Sequence, residues 1–394
     1  MFFVLIVALV RRYLMKGGDV HLIINENPPV IAQLGQKLLS VLTLNKIFLP
    51  ASCGGKGACG QCRINITQGN SPLTVLEKNF ISNQQAEAGE RLACMFVING
   101  DVSIKISETA FKSSAYQCRV VSNRLVSTFM TELILEPVKN EFFDFEAGDY
   151  VLLHAPPCKI KFKDFLLAEE YKESWQEFQL LDFQTELFEL EQRAYSLANA
   201  PSESDCIQLL VRIATPPANV SKDIPGGKVS SYIFSLKVND IVSISGPFGK
   251  FHCRDNDKEM LIIGGGAGMA PLRSIIREQL LHAKTKRKIS YWYGARNFPQ
   301  LCYQNEFELL AKEFKNFSWH VALSEPGCED DWKGHVGFIH LIVLSEYLSK
   351  HPSPKNIDYY ICGPPVMSSA TITMLKTLGV PEDNIFYDDF GGPG

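Results

Sequence analysis

Apolar and polar residues alternate in short runs from residue 19 onward, and Gly, Pro and Asn break the runs. VHLIIN, NKIFLP, CRINIT and VSIKIS show the period of two that half-buried strands require, and predict a compact, mostly β domain ending near Ala110. A second strand-rich block starts at Tyr116. Its runs are YQCRVVSNRLV, MTELILEP, DYVLLHAP, IQLLVRIA and DIVSISGPFG, and the Gly and Pro between them suit a small antiparallel barrel. Residues 158–192 interrupt this block with a long aromatic and charged stretch, expected to be an insertion with some helix. At Glu259 the period changes. Strand-like EMLIIGG, KISYWYGA, FSWHVALS and DYYICGP alternate with helix-like APLRSIIREQLLHA, YQNEFELLAKEF, IHLIVLSEYL and MSSATITMLKTLG, which predicts a parallel sheet.

A length of 394 residues suggests two or three domains, and 46% hydrophobic with 21% charged residues is an ordinary globular balance. The net charge of −4 argues against a nucleic-acid partner. Eleven cysteines, an odd number and mostly isolated, do not form a secreted disulfide pattern; they indicate a reducing compartment with one inorganic site. The chain opens with MFFVLIVALV, followed by Arg11, Arg12 and Lys16. A signal peptide has the reverse order, charge before the apolar run. Ten residues of helix rise about 15 Å, half of a bilayer core of about 30 Å. Residues 1–16 are therefore expected to be a partial membrane anchor, with the Arg pair keeping the remainder on the cytoplasmic side.

The densest chemistry is SCGGKGACGQCR. Cys53, Cys59 and Cys62 follow C-x5-C-x2-C, and Cys94 stands apart in RLAC. Thiolates are soft ligands for zinc or iron–sulfur clusters. Zinc sites usually show two short Cys pairs, whereas three ligands on one glycine-rich loop with a remote fourth suit a flat two-iron cluster. Gly54, Gly55, Gly57 and Gly60 would turn the backbone so that its N–H groups face the sulfurs. Zinc and four reduced core cysteines are the alternatives. The stretch resembles a [2Fe-2S] ferredoxin domain, with five residues between the first two cysteines where plant-type ferredoxins have four.

RAYSLANAP, GGKVSSYI, GPFGKF, IIGGGAGMAPLRSII and YICGPPVM occur in that order. Together they resemble the ferredoxin–NADP+ reductase superfamily. The resemblance implies an FAD site in which Arg193 pairs with the pyrophosphate, Tyr195 lies on the isoalloxazine and Ser196 reaches its N5 edge. Gly227, Lys228, Val229 and Ser230 would present backbone N–H groups to the FAD phosphates at a helix start. Gly266, Gly268 and Pro271 form a G-x-G-x-x-P turn between strand and helix, the setting a dinucleotide pyrophosphate needs. Cys362 and Gly363, at the end of a predicted strand, would lie by the nicotinamide, Cys362 in a positioning and packing role. Phe390, in the terminal DDFGG, would stack on the flavin until nicotinamide displaces it. Cys362, Ser196, Tyr195 and Phe390 are thus the candidate catalytic set.

The order of modules, with YWYGAR, WHVALSEP, GFIH and the DDFGG end, sharpens the resemblance to the F subunits of bacterial Na+-translocating NADH:quinone oxidoreductases. Lys56 stands where many members of that family have glycine. The fold implied is a multidomain α+β and α/β chain. It comprises a short apolar anchor at 1–16, a β-grasp [2Fe-2S] domain at 17–112, an antiparallel FAD-binding β-barrel at 113–257 and a parallel-sheet NADH-binding domain at 258–394. The resemblance further implies electron input from NADH through FAD to the cluster, then to other membrane subunits of the complex and to ubiquinone. It places the protein at the bacterial inner membrane with a single N-terminal span. A soluble NADH-dependent reductase component of an oxygenase system uses the same modules and is the alternative; a non-catalytic, zinc-bound assembly subunit is the rival of another class. NADH as donor follows from the resemblance, since Arg296 in YGARN could also meet a 2′-phosphate.

Overall fold

The computed structural model describes residues 18–69, 71–107, 114–139, 143–203, 205–215, 225–327 and 331–388. The apolar residues 1–16 and Phe390 lie outside them. The chain divides into two compact units, 1–115 and 116–394.

The first unit contains β1 (Asp19–Ile24), β2 (Val30–Gln33), α1 (Leu38–Leu44), β3 (Arg63–Gln68), α2 (Asn83–Glu87), β4 (Glu90–Leu92) and β5 (Val102–Lys105). The sheet order is β2-β1-β5-β3-β4. β1 runs parallel to β5 and antiparallel to β2, while β3 is antiparallel to both neighbours. The period of two is real: Val20, Leu22 and Ile24 are buried, Asp19 and His21 exposed. α1 sends Leu38, Leu39, Val41 and Leu42 into the same core. NKIFLP, expected to be a strand, forms none. The turn that ends α1 puts Lys46 at a φ of 61°, and Phe48 and Leu49 then bury as loop residues on the way to Cys53.

The second unit starts with β6 (Ser114–Ser127), β7 (Met130–Pro137), β8 (Tyr150–Ala155), β9 (Cys158–Lys161), α3 (Glu169–Glu177), β10 (Gln184–Leu187), β11 (Glu191–Ser196), β12 (Ile207–Arg212), α4 (Lys228–Ser235) and β13 (Ile241–Phe248). Six strands form one sheet in the order β11-β8-β13-β6-β7-β12. The pairs β11–β8, β8–β13, β6–β7 and β7–β12 are antiparallel. The end strands meet at one bridge, Leu197↔Leu209, where a closed barrel would carry a continuous ladder. The insertion holds more than helix: β9 and β10 pair antiparallel, with α3 in the chain between them. Its aromatic residues anchor it, since Phe162, Phe165 and Trp175 are buried in the core of the six-stranded sheet. Trp175 Nε1 also donates to the Thr128 carbonyl at 2.7 Å.

The chain continues with β14 (Met260–Gly265), α5 (Met269–Arg277), β15 (Ile289–Ala295), α6 (Gln304–Glu313), β16 (Phe317–Leu323), β17 (His335–Val336), α7 (Ile339–Glu346), β18 (Asp358–Cys362), α8 (Pro365–Thr377) and β19 (Ile385–Asp388). All neighbours in the order β17-β16-β15-β14-β18-β19 are parallel. Met130 and Leu210 of the six-stranded antiparallel sheet, with Ala198 just after β11, share one core with Met269, Leu272 and Ile275 of α5, so the two sheets of the second unit pack as one body.

Among the described residues no helix is long and apolar enough to cross a membrane. This overturns the expectation of a single N-terminal span. The apolar run that prompted it supplies only half the length a crossing helix needs.

Trp175→Ala should cost about 3–5 kcal/mol of stability, because a fully buried indole leaves a cavity and an unpaired carbonyl. Trp175→Phe, which keeps most of the volume, should cost less. Chemical denaturation measures both; an unchanged midpoint for Trp175→Ala would mean that the insertion is a loose appendage.

Candidate functional site

The cysteine loop joins α1 to β3, and Cys94 follows β4. Cys53, Cys62 and Cys94 are buried and Cys59 is half-buried. Gly54, Gly55, Gly57 and Gly60 all have φ between 64° and 82°, the left-handed region that glycine enters at no cost. At Gly57 a Cβ would also sit 2.7 Å from Met95 Sδ. The thiols gather as two pairs. Cys59 Sγ donates to Cys53 Sγ at 3.3 Å, and Cys62 donates to Cys94. The Cys59 S–H pulls the Cys53 thiol down to about 4, helped by the N–H groups of Ala58, Cys59 and Lys56. Cys59 itself is pushed up by that bond and by burial. In the second pair Cys94 is lowered by the Cys62 S–H, and Cys62 is raised by Cys94 and by burial.

In each pair one thiol is thus favoured as the thiolate and the other as the proton donor. Holding all four as thiolates requires added positive charge, which is what metal ions supply. No three His, Cys, Asp or Glu side chains among the described residues are gathered as one metal ion needs. Two pairs of thiols would suit a two-iron cluster, which takes two cysteine ligands at each iron.

A buried ion pair with no signal in the sequence fixes the Cys94 segment. Arg91 donates to Glu77 through Nε at 2.9 Å and Nη2 at 2.8 Å, with both side chains almost fully buried. The same carboxylate accepts from the Leu92 N–H at 3.1 Å. Next to it the Ala93 N–H donates to the Cys62 carbonyl at 2.9 Å, tying the remote cysteine to the loop. Burial raises the Glu77 carboxyl, but the Arg91 guanidinium and the N–H groups of Thr74 and Leu92 outweigh it and hold the group below its ordinary value.

In the second unit, β11 carries Arg193, Tyr195 and Ser196, and α4 begins just after Gly227. Glu191 joins the two. It is paired with Lys228 and lies 3.5 Å from Arg193 Nη1. Two residues apart on one strand, Glu191 and Arg193 share a face; that period could have revealed Glu191 from the sequence. No side chain caps α4, so the N–H groups of Lys228, Val229 and Ser230 have no intrahelical acceptor. The Ser230 hydroxyl accepts from the Ala214 N–H and donates to the Gly227 carbonyl, both at 3.2 Å. Two cations beside an uncapped helix start make an anion-binding corner, which fits a pyrophosphate. Tyr195 packs against the sheet core, and burial raises its hydroxyl well above the ordinary value.

Gly266 and Gly268 form the tight turn between β14 and α5, with Pro271 in the first turn of α5. A Cβ on Gly268 would lie 2.1 Å from the Cys362 carbonyl oxygen, so glycine there lets the nucleotide turn touch the end of β18. Cys362 is fully buried and pairs in register with Asp388 on β19. Asp388 Oδ2 lies 3.4 Å from Ser196 Oγ. Ser196, Asp388, Cys362, Gly363 and Gly268 thus converge where the two sheets meet. Asp388 was not singled out from the sequence; its signal was the acid two places before Phe390.

Glu77→Gln removes the charge that compensates a buried guanidinium and should cost about 3–5 kcal/mol. A carboxyl whose folded pKa is lowered contributes stability that is complete above its unfolded value, near 4.5, and lost as pH falls through the folded one. The acid limb of unfolding for the wild type should therefore be steeper than for Glu77→Gln. Identical acid limbs would remove Glu77 as a source of stability.

Three family models match the chain. They describe a 2Fe-2S iron-sulfur cluster binding domain at residues 24–99, an oxidoreductase FAD-binding domain at 180–253 and an oxidoreductase NAD-binding domain at 262–372. The F subunit of the Na(+)-translocating NADH-quinone reductase of Pseudoalteromonas atlantica is 46% identical over 391 residues, which cover 99% of this chain and 96% of the relative. Its counterpart in Methylococcus capsulatus is 44% identical over 397 residues, at 99% and 98% coverage. Among solved structures, a cytochrome P450 reductase of Amycolatopsis matches at a TM-score of 0.64 and 23% identity, covering 94% of this chain and 98% of that one. The ferredoxin reductase in carbazole 1,9a-dioxygenase matches at 0.62 and 23%, covering 95% and 99%. At 23% identity these two structures speak for the fold alone. The near-complete coverage at 44–46% identity is decisive, and the chain belongs to the family of F subunits of Na+-translocating NADH-quinone reductases.

Proposed function

We infer that this chain is the NADH-oxidising, electron-input subunit of a Na+-translocating NADH:quinone reductase. The observation that carries the reading is the meeting of Ser196, Asp388 and Cys362 where the flavin-type and nucleotide-type sheets share a core. Hydride transfer needs its two partners in near contact, and only a rigid junction holds them so. Oxygenase-type reductases share the fold at 23% identity, while F subunits match at twice that over the same length.

In this reading the first unit is a β-grasp domain and the six-stranded sheet works as a flavin barrel. Arg193, Lys228 and the first-turn N–H groups of α4, after Gly227, hold the FAD phosphates. Tyr195 lies against the ring system and Ser196 serves its N5 edge, with Asp388 holding the serine hydroxyl. Gly266, Gly268 and Pro271 admit the pyrophosphate of NADH, and Cys362 and Gly363 shape the nicotinamide pocket. Phe390 is assigned the outer face of the flavin by resemblance. Cys53, Cys59, Cys62 and Cys94 hold the cluster. Bound FAD supplies the change from two-electron to one-electron chemistry, and a [2Fe-2S] group supplies the one-electron carrier. Other subunits of the complex take the electrons, and ubiquinone is reached through them.

Cys59→Ala should abolish the broad two-iron absorption while NADH still bleaches the flavin bands in an anaerobic visible spectrum. Loss of flavin bleaching in that variant would break the proposed order. Arg193→Ala should weaken FAD retention by about ten- to a hundredfold, the range for losing one charge-assisted contact. Unchanged flavin content after gel filtration would count against a pyrophosphate role.

A further inference from the structure

The surface over the cysteine loop has a charge of its own. Between residues 27 and 76 there is no Asp or Glu, yet Lys37, Lys46, Lys56 and Arg63 all fall there, in a chain whose net charge is −4. Arg63 is held by Glu90, and the first acid beyond the stretch, Glu77, is buried against Arg91. The three lysines are exposed. Lys56 sits inside the cysteine loop, between Cys53 and Cys59. Lys37 forms a backbone bridge with Val97, three residues past Cys94. Apolar side chains accompany both lysines. Leu76 and Met95 both come within 3.5 Å of where a Cβ on Gly57 would stand, so they lie over the loop. Val75 is 81% exposed, Leu76 45% and Val97 38%. These are large apolar side chains in water at the place where an electron would leave.

We propose that this face, made by Lys37, Lys56, Val75, Leu76, Met95 and Val97, docks against an acidic patch on the subunit that takes electrons from the cluster. The proposal rests on the electron-input reading above. Three occupants suit a cationic, apolar face, and chemistry separates them. An anionic lipid surface matches the charge but accepts no electron. A second copy of this chain brings the same lysines and is repelled. An acidic protein surface that carries a redox centre meets both requirements. Redox encounters use small interfaces that must part after each turnover. An apolar centre excludes water, while a charged rim raises the encounter rate without a tight complex.

The test uses the purified complex, wild type and with Lys37→Gln, Lys56→Gln or both. A zero-length carbodiimide joins a lysine amine to a carboxyl as an amide with loss of water. Mass spectrometry should find Lys37 or Lys56 linked to an Asp or Glu peptide of another subunit. Links from these lysines confined to this chain or to a second copy of it would overturn the proposal. In anaerobic stopped-flow with NADH, loss of electrons from the cluster should slow about tenfold as salt rises from about 0.01 M to about 0.1 M, where the screening length falls from about 30 to about 10 Å. The double variant should be slow at low salt and lose that dependence, while NADH fills its cluster at the wild-type rate. Equal exit rates and salt slopes in both proteins would overturn the proposal, as would slower filling of the cluster in the variant. Lysine-dependent binding to anionic vesicles with unchanged exit would transfer the face to lipid. Failure of NADH to fill the wild-type cluster at all would instead sink the electron-input reading, and the two failures are distinct.

Discussion

The loop that leaves β11 is held by α5, and the candidate site depends on that grip. After Ser196 the carbonyls of Ala198 and Asn199 turn toward α5. Arg273 Nη1 donates to the first at 2.5 Å and Ser274 Oγ to the second at 2.7 Å. Arg273 is nearly buried, so each of its bonds replaces a lost contact with water. It also donates to Gln208 at 3.1 Å and to Glu306 at 3.0 Å, and it lies over the Tyr303 ring. Gln208 in turn is bonded to Glu132, which accepts from Tyr303 Oη at 2.7 Å. Buried networks of this kind are rigid when every member has a partner, and costly when one is removed. A shift of α5 would move the Gly266–Gly268 turn and the loop after Ser196 together.

The first unit meets buried charge in two ways. Around Arg91 and Glu77 the opposite charges are both supplied by the chain, and the carbonyls of Ser71 and Pro72 complete the set. Among its cysteines no buried cation of the described residues is paired with the sulfurs; the nearby lysines, Lys37 and Lys56, are exposed. In each pair one thiol donates to the other, which leaves the sulfurs set in twos. The protein-supplied pair holds the backbone around Cys94 in place, so that the thiols are already matched in twos before any metal is considered.

The sequence was most legible where one physical rule acts alone. Parallel strands buried on both faces read as apolar runs, and EMLIIGG, KISYWYGA, FSWHVALS and DYYICGP each fall on a strand. The cysteine spacing singled out the four thiols because few other structures ask for that spacing. Rules that compete were less legible. LLSVLTL in α1 and NKIFLP after it are both short apolar runs; the first became a helix because its apolar residues cover one face, the second a loop because of the turn at Lys46. The short edge strands β17 and β19 carry too few residues for any period to show. Glu77, Glu191 and Asp388 escaped for another reason. An acid's meaning lies in its partner, and Glu77 lies fourteen residues from Arg91, Asp388 nearly two hundred from Ser196.

The division into units follows from what each half of the reaction demands. A hydride moves with its nucleus, so donor and acceptor must be held to a fraction of an ångström. Two sheets that shared only a flexible linker could not do this; sheets that share α5, Arg273 and one apolar core can. A single electron carries no nucleus and tolerates distance and looser orientation. The thiol pairs accordingly sit in a separate compact unit with its own core, whose internal order is devoted to the four sulfurs. Rigidity is concentrated where atoms are transferred.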